Sequence, residues 1–151
     1  MMSSFQQRIR ADRDKQMKNS PQLTLGELIK LLEKVKDKKS PIITSRCAEE
    51  ICGLISWRGS YNELSISSDD WNSDDWGKPL NAGEFLQMCI ESVGKTFVGY
   101  KGGDFKMYKR TPVWVANYGQ CGSMGNGCCG VTGVKEIHGI VIILCGECPY
   151  L

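Results

Sequence analysis

Apolar residues recur at helical spacing across residues 24–37, where Leu25, Leu28, Ile29, Leu31, Leu32 and Val35 share one broad face. Thr24 precedes that face and Glu27 follows three residues later, the spacing of a capping box, so a helix begins there. It ends over Lys36 to Ser40, because Pro41 disfavours helical backbone at the residue before it. A second helical face, Phe85, Leu86, Cys89, Ile90 and Val93, follows Asn81, a residue suited to cap it. Residues 3–19 have helix-forming composition, but only Phe5, Ile9 and Met17 are large and apolar there. A peripheral helix or frayed arm is expected.

Between and after the two strong helices the period shortens to two. Residues 41–44, 53–57, 61–67 and 112–116 read as strands, with Arg58-Gly59-Ser60 as a tight link between the second and third. Val131 to Val134 and Ile137 to Leu144 read as a closing hairpin. The continuous apolar run Ile140 to Leu144 suits a central strand covered on both faces. Residues 68–79 and 119–130 are polar or glycine-rich and read as loops, the first carrying Asp69-Asp70-Trp71 and its echo Asp74-Asp75-Trp76. These elements predict an α+β fold, a mainly antiparallel sheet packed with two or three helices. The expected organisation is an N-terminal helical extension, 1–22, and a single ligand-binding domain, 23–151.

A length of 151 residues with 41% apolar and 24% charged residues fits one globular domain. There is no apolar run long enough for a membrane helix and no apolar centre of an export signal near the start, so a cytoplasmic protein without a membrane partner is expected. The net charge is +2, unevenly spread. Residues 41–92 carry three Lys/Arg against nine Asp/Glu, whereas residues 93–110 carry five against one. That second block suits a compact anion site and not a long basic stripe for duplex nucleic acid. Eight cysteines in a cytosolic chain imply buried thiols or a metal site. Cys145 and Cys148 have the spacing of half a zinc site, and Cys121 with Cys128 or Cys129 offers the other half. Adjacent Cys128 and Cys129 chelate poorly, so thiols are the favoured reading and no cofactor is expected.

Catalysis has little to work with. Gly94-Lys95-Thr96 resembles the end of a P-loop, but Cys89 stands where the first glycine belongs and the triplet follows a helix instead of opening one. With His138 the sole histidine, mechanisms needing two are excluded within one chain, and its place beside Gly139 reads as a turn. Recognition remains. Gly94 to Tyr118 interleaves glycines, cations and aromatic rings. Gly102 and Gly103 permit positive φ and close approach of a ligand to the backbone. Arg58, Lys95 and Lys101 are expected to hold phosphates. Tyr100 and Trp114 are expected to cover bases, with Tyr118 as a further ring, and Thr96, Asp104 and Asn117 to hydrogen-bond sugar or base edges.

Four ordered motifs carry a resemblance. They are Leu25-Gly26-Glu27-Leu28-Ile29 with Leu32, Trp57-Arg58-Gly59-Ser60-Tyr61-Asn62-Glu63-Leu64, Gly94-Lys95-Thr96-Phe97-Val98-Gly99-Tyr100-Lys101-Gly102-Gly103, and Thr111-Pro112-Val113-Trp114-Val115-Ala116-Asn117-Tyr118-Gly119. Together, over roughly residues 23–144, the chain resembles a family of small proteins from tailed bacteriophages. Proteins of that kind include sponges for the nucleotide signals of CBASS and Thoeris immunity. The resemblance implies a non-catalytic, homo-oligomeric protein that sequesters a cyclic oligonucleotide or ADP-ribose type signal and so blocks host defence. The alternatives are an enzyme that degrades such a signal and a protein-protein inhibitor of a host factor.

Overall fold

A computed structural model describes Ser4 and residues 22–45, 48–55, 64–68, 78–98, 102–115 and 130–145. Among them are two helices, α1 (Leu25–Glu33) and α2 (Ala82–Ser92), and eight strands. The strands are β1 (Ile42–Thr44), β2 (Ile51–Ile55), β3 (Leu64–Ser68), β4 (Thr96–Val98), β5 (Asp104–Lys106), β6 (Val113–Val115), β7 (Val131–Ile137) and β8 (Ile140–Cys145). The fold is α+β with mainly antiparallel sheets, as the pattern of apolar positions predicts. Pairing is antiparallel in β2–β3, β4–β5 and β7–β8, but β1 runs parallel to β8 and β3 parallel to β6.

Both helices start where the sequence places them, and by the same device. Thr24 and Asn81 each accept the N–H of the glutamate three residues on, and Glu27 and Glu84 each return a carboxylate to the cap N–H. The backbone N–H of Thr24, then its hydroxyl, and last the Lys30 ammonium hold the Glu27 carboxyl below the usual carboxylate range. Helix α1 stops at Glu33, earlier than the apolar spacing suggests, and Val35 reaches the core from the following turn.

The order α1–β1–β2–β3 recurs as α2–β6–β7–β8, with β4 and β5 interposed before β6. The sheets β1-β8-β7 and β6-β3-β2 are built alike, each pairing the first strand of one half with the hairpin of the other. Their registers match residue for residue. Ile42 lies opposite Val141 as Val113 lies opposite Leu64, and each hairpin shifts register once, between Ile51 and Gly53 or between Val131 and Gly133.

The halves also cap each other. Leu25 and Gly26 at the start of α1 donate to the carbonyls of Thr111 and Lys109, both at 2.8 Å. Ala82 and Gly83 at the start of α2 donate to Ser40 at 2.9 Å and Lys38 at 2.8 Å. Helix-start N–H groups lacking intrahelical partners are thereby satisfied, leaving neither start as an anion seat. A Cβ on Gly26 would lie 3.2 Å from Lys109 Cβ and its carbonyl oxygen, and one on Gly83 would lie 3.1 Å from the same atoms of Lys38. Glycine is favoured at both places by this close approach, not by its φ.

Leu25, Leu28 and Leu32 from α1 and Ala82, Phe85 and Cys89 from α2 enter one core with the inward residues of both sheets. Each large apolar side chain so buried contributes about 1.5–3 kcal/mol. Strand β8 is central in its sheet, but burial alternates along it. Val141, Ile143 and Cys145 are buried, Ile142 and Leu144 are half-buried, and Ile140 is exposed, so the expectation of cover on both faces is corrected. A strand can be central in hydrogen bonding while only one face of its sheet meets the core. The helical arm, the Arg58 link and most of the loops at 68–79 and 119–130 fall outside the described residues.

Candidate anion-binding hairpin

The interposed hairpin β4–β5 begins at a glycine turn. Gly94, at φ 81°, donates to the Met107 carbonyl at 2.7 Å, and Met107 donates to the Lys95 carbonyl at 2.9 Å. Phe97 pairs with Phe105 in register and both pack against the core, which fixes the inner face. Alternation then turns Thr96, Val98, Asp104 and Lys106 outward, all exposed. Gly102 and Gly103 lie near the far end at φ 87° and 88°, so the paired glycines adopt the left-handed backbone the sequence anticipates for them.

Of the expected site residues, Lys95, Thr96, Gly102, Gly103 and Asp104 lie on this one hairpin, and all five are exposed. Thr96 faces Lys106 across the strands while Asp104 faces Val98, so Thr96 and Asp104 sit two rungs apart, about 7 Å along the strand. Arg58, Tyr100, Lys101, Asn117 and Tyr118 fall outside the described residues.

Trp114 requires a correction. It is only 1% exposed and lies on the side of β6 away from Val113 and Val115, which enter the core cluster. A ring so enclosed cannot cover a base at the surface. Its parallel partner is Ser65, and Ser65, Ser67 and Trp114 are all sealed from solvent. Neither hydroxyl nor the indole Nε1 has a hydrogen-bond partner among the described residues. Leaving such a group unsatisfied costs about 1–3 kcal/mol, so this face of the sheet is chemically expensive.

The aromatic surface is supplied by Tyr108 instead, a residue the sequence reading passed over. The residue is 42% exposed, with the Arg110 guanidinium 4.8 Å and the Lys106 ammonium 5.9 Å from the ring centroid. Lys95 lies 4.9 Å from the Phe97 centroid. Exposed cation–π contacts of this kind contribute about 0.5–1 kcal/mol each, enough to position the cations without committing them. Met107, fully buried, marks which positions turn inward.

Away from this hairpin in the chain, Lys36, Asp37, Ser40, Glu136, His138, Gly139 and Ile140 line a cleft of about 240 Å³. The Lys36 N–H donates to Glu136 Oε1 at 2.6 Å, tying the turn after α1 to the β7–β8 hairpin. His138 and Gly139 form the two-residue turn of that hairpin at φ 49° and 78°, both positive as a type I′ turn needs. The turn reading of His138 therefore holds.

Cys145 is buried, with its sulfur 3.5 Å from the Ser45 hydroxyl, which also accepts the Cys145 N–H at 3.0 Å. Cys121, Cys128 and Cys148 lie outside the described residues, and no group of three metal-ligating side chains occurs among the described ones. Burial pushes the Cys89 thiol far above its ordinary range, so it is packing and not a nucleophile. No helix among the described residues is long and apolar enough to cross a membrane. No protein-family model matches the chain, and neither the curated proteins nor the solved structures yield a match.

Proposed function

We propose that the protein is a non-catalytic binder of a nucleotide-derived anion, and that the β4–β5 hairpin is its contact surface. The supporting observation is the composition of that interposed segment. Lys95, Lys106, Lys109 and Arg110 are exposed within sixteen residues against one carboxylate, Asp104, and the glycines at 102 and 103 bring bare backbone to the surface. Charge and exposed glycine backbone together favour phosphate over a neutral ligand. In the biological reading, which follows the phage resemblance, the protein withholds a cyclic oligonucleotide or ADP-ribose type signal from a defence receptor in the host cytoplasm. Val98, 67% exposed on the outer face, offers an apolar contact to a second copy, in keeping with a homo-oligomer that encloses its ligand.

The test uses the intact chain with a panel of cyclic dinucleotides and ADP-ribose derivatives. A bound member raises the melting temperature in a concentration-dependent way and is returned chemically intact after heat denaturation. New products by chromatography would point to an enzyme instead. An unchanged melting temperature across the panel, with no retained ligand, removes the reading.

A further inference from the structure

The duplicated architecture supplies an internal control for Tyr108. Residues 37–41 and 108–112 form the same turn in the two halves. Ser40 donates to the Asp37 carbonyl at 3.2 Å and Thr111 to the Tyr108 carbonyl at 3.0 Å, a proline follows each, and each turn offers two carbonyls to a helix start. At the first position of the turn the halves diverge. The Asp37 carboxylate accepts the Lys39 N–H at 2.9 Å, so that side chain builds the turn. In the other half the turn is braced by the Thr111 hydroxyl, which accepts the Tyr108 N–H at 2.8 Å. The backbone needs nothing from the Tyr108 ring, yet a large aromatic stands there with two cations beside it.

Resting on the nucleotide-binding reading above, we propose that Tyr108 is the platform on which a base of the ligand stacks, with Lys106 and Arg110 pairing its phosphates. The mount is rigid. Met107 before it and Val113 beyond it are fully buried, and the Lys109 and Thr111 carbonyls are held by the first turn of α1. A fixed ring loses little freedom when a ligand arrives. Base stacking outweighs an exposed cation–π contact, so the base displaces the ammonium, which then turns to the phosphate. Aromatic stacking and paired charge define the ligand class as an anionic nucleotide, excluding neither one base nor two.

Calorimetric titration of the intact protein with cyclic di-AMP and ADP-ribose, and with tripolyphosphate as a base-free control, tests this. Y108A should weaken binding of whichever nucleotide the wild type takes by about 10-fold or more, while Y108F keeps it within about 3-fold. Tripolyphosphate affinity should be unaffected by Y108A and reduced by the double variant K106Q/R110Q. The Tyr108 ring resonances should move upfield on adding nucleotide but not on adding tripolyphosphate. Nucleotide binding that Y108A leaves unchanged overturns the platform alone and leaves sequestration standing. Failure of the wild type to bind any nucleotide overturns both, and an oligothymidylate bound more tightly than the nucleotides overturns both in favour of a single-strand binder.

Discussion

Beside β1, the outward face of its sheet is made of Ile43, Ile142 and Leu144, all half-buried. Beside β6, the matching positions hold Trp114, Ser65 and Ser67, all sealed, with polar atoms that find no partner among the described residues. The strand order and register are the same, so the fold does not demand hydroxyls there. A second difference lies a few residues upstream, where the short link from α1 to its turn is replaced, after α2, by the β4–β5 hairpin with its cations. The half around β1 reads as plain scaffold. The half around β6 carries departures from it that stability does not explain, and residues serving something other than packing are expected where a duplicated frame loses its symmetry.

The sharpest way to break this comparison is through the shared core. Leu28 and Phe85 occupy matching places and are both fully buried, so Leu28→Ala should cost about 2–5 kcal/mol and Phe85→Ala about 3–5 kcal/mol in denaturant unfolding. A loss below about 1 kcal/mol in one but not the other would show that only one half is held by the common core. Next come the glycines at the cross-capped helix starts. Gly26→Ala and Gly83→Ala each push a methyl against a carbonyl oxygen and a Cβ of the opposite half, and each should lose about 1–3 kcal/mol despite the better helix propensity of alanine. A gain in stability at both sites would remove the reciprocal capping from the account. The smallest effect concerns the sealed serine face. Ser65→Ala deletes an unsatisfied hydroxyl and should leave melting unchanged or raise stability by up to about 1 kcal/mol. A clear loss would mean that the hydroxyl is satisfied in solution.

Much of the scaffold was legible because local rules and the tertiary structure agree. Thr24 with Glu27 and Asn81 with Glu84 fix the helix starts by bonds spanning three residues, and His138-Gly139 fixes a turn by two. The duplication was written in the chain and passed over. Leu23-Thr24-Leu25-Gly26-Glu27 and Leu80-Asn81-Ala82-Gly83-Glu84 share only leucine, glycine and glutamate at matching places, too little to stand out. The candidate site was half legible. Glycines and cations were found by their composition, but Trp114 was mistaken for a surface ring because an alternating strand such as Val113-Trp114-Val115 does not say whether its second face is open. Tyr108 was missed because only the burial of Met107 and Thr111 around it shows that it must point out.

Helix starts, the turn at His138, the strand periods and the cationic character of residues 93–110 were determined by the sequence itself, since each depends on neighbours a few residues apart. Which strands run parallel, which half caps which helix, and which aromatic ring reaches solvent were decided only by the tertiary structure. Those outcomes depend on groups more than forty residues apart, as when Gly83 meets Lys38, Gly26 meets Lys109 or Leu23 meets Val131. No local preference carries information over that distance; it comes into being when the two halves close on one core.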